Sequence, residues 1–197
     1  GNQSLGATYT FTRLFAGNSD QNYHNHVRQG DIHTEFNTSS HHFSQSGNHN
    51  VSIYYENKFS DKLALNVDGT YAHNDANGKQ TITDIQADGR STLIPVTEAR
   101  SDLGALKTVF TSSVGDAKLE YGFETTYTRF RQKYNIENRD YSGVLKTNDN
   151  ESKQSAANVF MNYSRSFGKL YTQLGLKYEF ANYDYYAGGK LFDESSR

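Results

Sequence analysis

Seven histidines are the residues most able to do chemistry: His24, His26, His33, His41, His42, His49 and His73. Six lie in or beside residues 16–48. His24 and His26 are two apart, so they share a face if the backbone is extended, and imidazole suits Zn, Cu or Ni. No closed four-ligand spacing accompanies them. The runs Asp75-Ala76-Asn77-Gly78 and Asn148-Asp149-Asn150-Glu151 offer oxygens for Ca²⁺, but turn chemistry accounts for both more simply. Tyr23, Tyr141, Tyr185 and Tyr186 have rings suited to stacking on a sugar or a chelate. Phosphate loops, dinucleotide fingerprints, nucleophile elbows and zinc-protease helices are absent. The reading is therefore no catalytic centre, no cofactor and no resident metal, with the four tyrosines as candidate ligand contacts.

Composition narrows the class further. The chain has 197 residues, no Cys and a net charge of −2. That excludes a disulfide framework and a thiolate nucleophile, and it argues against phosphate neutralisation on a nucleic acid. No apolar run approaches the ~20 residues of a membrane helix. Only 35% of residues are hydrophobic, yet there are 15 Tyr and 12 Phe. Ordinary disorder is poor in such residues. Two-faced strands reconcile few aliphatics with many aromatics.

Period-two alternation is clearest at residues 62–73. Leu63, Leu65, Val67, Gly69 and Tyr71 share one face, and Lys62, Asn66, Asp68 and Thr70 share the other. Val51, Ile53 and Tyr55 alternate in the same way, and the intervening Phe59-Ser60-Asp61-Lys62 reads as a tight hairpin turn. The pattern returns at Leu119, Tyr121, Phe123, Thr125 and Tyr127, and at Leu174, Leu176, Tyr178 and Phe180. It is also present at Leu5, Ala7, Tyr9 and Phe11, and at Ala157, Val159, Met161 and Tyr163. Residues 102–112 are strand-like, but apolar residues fall on both faces and leave the sides unassigned. Short turns centre on Ser60, Gly115 and Gly168. The other connections, 16–48, 74–99 and 135–151, are long and polar and read as loops.

These features predict an all-β fold. It is an antiparallel up-and-down meander of about seven long strands, with short turns at one end and long loops at the other. Such asymmetry marks a partial outer-membrane β-barrel. Leu63, Leu65, Val67, Leu119, Phe123, Leu174 and Leu176 are expected to face lipid. Lys118, Glu120, Gln173, Lys177 and Glu179 are expected to face the lumen. Tyr71, Tyr127 and Tyr183 would form an interfacial girdle. Residues 1–197 read as one barrel segment cut from a longer chain.

Three stretches carry a family resemblance. They are Gln3-Ser4-Leu5-Gly6-Ala7-Thr8-Tyr9-Thr10-Phe11, Asn48-His49-Asn50-Val51-Ser52-Ile53-Tyr54-Tyr55, and Phe167-Gly168-Lys169-Leu170 followed by Leu174-Gly175-Leu176-Lys177-Tyr178-Glu179. In order and spacing they resemble the barrel of TonB-dependent receptors of the Bacteroidetes type. The resemblance implies residence in the bacterial cell outer membrane, contact with outer-membrane lipid, and uptake of a small nutrient ligand without catalysis. It further implies a plug domain, the remaining barrel strands and an energy-coupling TonB complex as partners, none of which matches a segment here. Two other classes compete on the residues alone: a soluble small β-barrel that binds a ligand inside, and a surface adhesion piece. In the soluble barrel the leucine face would point inward.

Overall fold

A computed structural model describes residues 3–30, 32–86, 89–137 and 147–196, excepting the side chains of Ala16, Gly17, Gln29, Ile32 and 193–196. The described residues form one antiparallel sheet: β1 (Gln3–Gln29), β2 (Ile32–Ser60), β3 (Leu63–Gln86), β4 (Gly89–Leu93), β5 (Pro95–Val114), β6 (Ala117–Ile136), β7 (Asn148–Phe167), β8 (Leu170–Ala187) and β9 (Lys190–Ser196). Strands pair in the order β1-β2-β3-β5-β6-β7-β8-β9, with β4 on β3. The sheet is not closed, so it is a partial barrel.

Sequence reading expected seven strands, and the difference lies in the polar connections. Residues 16–48 and 74–99 are mostly strand, not loop. β1 and β2 run 27 and 29 residues and pair from Gln3↔Asn57 to Gln29↔Ile32, with one irregularity between Ala16 and Ser19. At ~3.3 Å per residue β2 is about 95 Å long, whereas crossing a bilayer takes only ~9–11 residues. Beyond the apolar segment both faces are polar, so the ribbon has no hydrophobic periodicity to read. Its backbone ladder forms regardless, supported by polar cross-strand pairs such as Asn25 to Thr38 at 2.8 Å and Thr38 to Asp84 at 2.5 Å. The third long connection, 135–151, falls partly on residues 138–146, which lie outside the described residues, as does Tyr141.

β4 and β5 follow one register along β3: Ile82 pairs with Leu93 and Lys79 with Val96. The ladder is broken only around Ile94 and Pro95. Proline has no N–H to donate, which explains an interruption at that point.

Turn residues set the hairpins. Two-residue loops at Gly115-Asp116 and Gly168-Lys169 join β5 to β6 and β7 to β8. Gly115 and Gly168 have φ of 62° and 60°, as a type II′ turn requires at its first central position. The β2–β3 turn has no glycine. It gains room from a register shift between Lys58 and Ser60, which is how a bulge accommodates a turn with ordinary φ.

Little is buried. Ala117, Ile136 and Pro95 are the buried apolar side chains among the described residues, and total accessible area is 14042 Å². A compact monomer of 22.3 kDa exposes about 9,400 Å². The excess is that of a single-layer sheet with both faces uncovered.

A charge ladder ties β6 to β7 beyond the apolar segment. Arg131 donates two hydrogen bonds to Asp149, at 3.0 and 2.7 Å. Arg129 Nε donates to Glu151 Oε1 at 2.7 Å, and Lys153 Nζ lies 3.3 Å from the same oxygen. The bond from Arg131 holds the Asp149 carboxyl below its ordinary range, and the bond from Arg129 does the same for Glu151. Depressed carboxyls contribute their pairing above the ordinary carboxylate pKa and lose it as pH falls through the lowered values. Amide protection factors at this end of β6–β7 should therefore stay level from about pH 7 to 5 and decline below about pH 4. Hydrogen exchange measured across that range checks it, and a decline centred near pH 6 would contradict it. In the turn, Gly168→Val should cost about 1–3 kcal/mol in urea unfolding of the intact protein because it forces a β-branched residue to positive φ, while Lys169→Val should be near neutral.

Candidate functional site

In an antiparallel sheet, directly paired residues share a face, so the register sorts every side chain. One row runs Leu5, Tyr55, Val67, Thr108, Phe123, Val159, Tyr178 across seven strands. The rows of Leu63, Leu65, Gly69 and Tyr71 lie on the same face and add Ile53, Phe110, Leu106, Leu119, Tyr121, Met161, Leu174, Leu176 and Phe180. All seven residues expected to face lipid fall on this one face. The rows from Leu63 to Tyr71 span nine residues of β3, the length of one crossing. Leu174 and Leu176 are 73% and 71% exposed. This register also assigns β5, where alternation was ambiguous. Phe110, Thr108, Leu106 and Gly104 are on the apolar face, and Val109 and Leu103 are the apolar residues of the other.

The apolar face ends sharply. The next row reads Phe11, His49, His73, Asp102, Arg129, Lys153, Asp184. Asp102 Oδ1 accepts from the Tyr71 hydroxyl at 2.8 Å and lies 2.7 Å from His73 Nδ1. Tyr71 thus has its ring on the apolar rows and its hydroxyl on the charged row. Tyr127 is on this face too. Tyr183 is not: it pairs with Gln154 on the opposite face, because the alternation puts Phe180 and Asn182 on the apolar side. A girdle role for Tyr183 is therefore corrected.

The opposite face is polar at the same depth. One row there runs Gly6, Tyr54, Asp68, Lys107, Glu124, Asn158, Glu179. Lys118 lies 2.6 Å from Glu120, and Lys177 lies 2.7 Å from Glu179. Both pairs, with Gln173, are on this face as expected. Asn158 is 9% exposed, and its side-chain oxygen has no hydrogen-bond partner. It lines a hollow with Lys107, Glu124, Asn162 and Lys177, so that hollow holds charges of both signs and an unused acceptor. Tyr54 lies over Gly6, where an added Cβ would stand 2.2 Å from the ring. An aromatic folded over a facing glycine covers bare backbone without extending into the space beyond.

The candidate ligand tyrosines do not converge. Tyr23 and Tyr185 are on the polar face, paired with Thr38 and Ser152. Tyr186 is on the apolar-row side, where the Lys153 ammonium sits 4.6 Å from its ring centre. All three are in strands rather than loops. Lys107 and Asn158, which the sequence did not single out, contribute more to the polar hollow. Their signal was the alternation of β5 and β7, legible only once neighbouring strands fix which side is which. His24 and His26 meet Glu35, also unforeseen, because the pairing His26↔Glu35 depends on the register of the ribbon.

The sequence matches the family model described as "Outer membrane protein beta-barrel family" over residues 57–194. A search of curated proteins finds no match. Among solved structures, BauA, the ferric preacinetobactin receptor from Acinetobacter baumannii, is similar at 12% identity and TM-score 0.51, covering 100% of this chain and 36% of that one. The ferric citrate transporter FecA in its unliganded form is similar at 11% identity and TM-score 0.53, covering 91% of this chain and 32% of that one. The chain thus spans about a third of the length of either protein, and at these identities the likeness is one of fold. A family match over most of the length, joined to a two-faced antiparallel meander, identifies the chain as a member of the outer membrane protein beta-barrel family.

Proposed function

We propose that this chain is one wall segment of the transmembrane barrel of a TonB-dependent receptor that takes up a nutrient. The observation that carries the reading is the contrast at one depth. Val67, Phe123 and Val159 occupy one face while Asp68, Lys107, Glu124 and Glu179 occupy the other. Charged groups at membrane depth are tolerable only toward a protein or water-filled interior. The apolar rows then meet outer-membrane lipid, and Leu63, Leu65, Val67, Leu119, Phe123, Leu174 and Leu176 are the contacts. The polar face lines the lumen, where a plug domain, held by the remaining strands, is the partner for the mixed charges and for the unused oxygen of Asn158.

On this reading 1–197 acts as one barrel segment, and uptake needs the whole receptor with its energy-coupling TonB complex. The BauA and FecA folds support this class, since one is named a ferric preacinetobactin receptor and the other a ferric citrate transporter. The segment serves binding and passage and performs no catalysis. Tyr23 and Tyr185, on the polar face, are the tyrosines placed to touch a passing nutrient. A soluble barrel with its leucines sealed inside finds no support, because Leu174 and Leu176 are exposed, Leu63, Leu65 and Leu119 are only half-buried, and the sheet is open among the described residues.

Val67→Arg in the intact protein should impair folding into lipid vesicles by up to about 2–4 kcal/mol, while Asn66→Arg, one residue away on the polar face, should be tolerated. Parallel refolding of the two variants, read by protease protection, tests the reading. Equal tolerance would overturn the assignment of faces.

A further inference from the structure

We infer that His24, His26 and Glu35, near the tip of the β1–β2 ribbon, form a capture site for a divalent first-row transition ion, with Cu²⁺ held most tightly. His24 and His26 are two apart on β1 and share a face, and Glu35 is the direct cross-strand partner of His26. Each of the three offers one ligand atom, and these atoms lie within 4.8 Å of one another. A tetragonal Cu²⁺ shell with bonds of ~2.0 Å sets neighbouring ligand atoms about 2.8–3 Å apart. The gap closes by side-chain rotation, since the side chains of His26 and Glu35 are 64% and 66% exposed.

For His24 the hydrogen bond already present selects the nitrogen. His24 Nδ1 lies 2.7 Å from Asn37 Oδ1. An amide oxygen only accepts, so Nδ1 carries the proton and Nε2 keeps its lone pair. His26 Nδ1 lies 3.1 Å from Glu35 Oε1, close to the separation of neighbouring ligand atoms in one shell, so the ion takes the place of the proton between them. Donation from the second ring nitrogen to an oxygen, as His24 makes to Asn37, is the usual support of a metal-binding imidazole, fixing tautomer and orientation. Two imidazoles and one carboxylate leave positions for water, and the general affinity order of such N/O sites favours Cu²⁺.

The site is separate from the lumen reading. It lies on the face of the apolar rows, not on the polar face, and about 40 Å along β1 from Phe11, where the apolar rows end. Asp20 and His41 pair at 2.5 Å on the same ribbon but four residues along β1 from His24, too far to join one shell. Because two ligands come from β1 and one from β2, a bound ion clasps the ribbon tip. Ligand binding to the paired state alone stabilises that pairing by mass action.

The test adds Cu²⁺ alone to the intact, detergent-extracted protein, read by calorimetry and by electron paramagnetic resonance. One ion per chain is expected, with nitrogen coupling from two imidazoles and increased amide protection around residues 24–37. His24→Ala and His26→Ala should each weaken affinity more than about tenfold. Asn37→Ala, which frees the His24 ring, should weaken it roughly 10-fold. His41→Ala should leave it unchanged. All four substitutions lie on an exposed ribbon, and unchanged ellipticity would show that the barrel still forms. Failure to bind at micromolar free Cu²⁺, or binding that persists in the His24→Ala, His26→Ala double variant, would overturn the assignment.

Discussion

A peptide group in hydrocarbon has no water to bond, so a strand that crosses a membrane keeps its amides and carbonyls satisfied only with a neighbour along each side. The described residues obey this constraint as far as the sheet extends. β2, β3, β5, β6 and β7 are each paired on both sides through their apolar segments, while β8 is paired there with β7 alone and meets β9 only from Asn182 onward; the interruption at Pro95 lies beyond those segments. The rest of the structure depends on that ladder. It fixes the register, and the register turns a chain that is only 35% hydrophobic into a wall with one unbroken apolar face. No buried core is needed. The apolar side chains lie on one face of a single layer, which is why so few are covered in the described sheet.

The same ladder explains how charges sit beside leucines. Asp68 follows Val67 in the chain yet lies across the sheet from it, and Glu124 follows Phe123 in the same way. A slip of one residue at any hairpin would move an entire strand's leucines to the charged side. The devices that prevent slippage are local: the positive φ of Gly115 and Gly168, and the shift at Lys58–Ser60. Farther out, the paired Arg129, Arg131, Asp149 and Glu151 resist a β6–β7 slip too, since a one-residue shift would send opposite charges to opposite faces.

Much of this was legible in the sequence wherever the two faces meet different solvents. Leu63 to Tyr71, Leu119 to Tyr127 and Leu174 to Phe180 alternate because one side is apolar and the other polar. Their strands and shared face follow directly. β5 resisted because Val109 and Leu103 put apolar side chains on the polar face, and only its neighbours resolve it. Tyr183 was misplaced because an aromatic near a strand end suits either side. The ribbons were missed for a deeper reason. Hydrophobic periodicity reports a difference between solvents, not the presence of a strand. Where both faces are wet, Asn, Ser, Thr and His can build a long ladder that leaves no such trace.

Beyond the apolar rows, then, the distinction between an inner and an outer face loses its energetic meaning. Inside the band a histidine pair on the apolar side would be costly to hydrate or to charge. Some 40 Å farther along β1, the same face is polar, and His24, His26 and Glu35 stand there without penalty. A strand is nevertheless a stiffer mount than a loop, holding i and i+2 side chains parallel and a cross-strand partner directly opposite. The extension of the barrel strands thus creates surface on which precise side-chain constellations can form on either face. Those constellations depend on register alone, and a change in the apolar rows would leave them intact unless it shifted the ladder that both share.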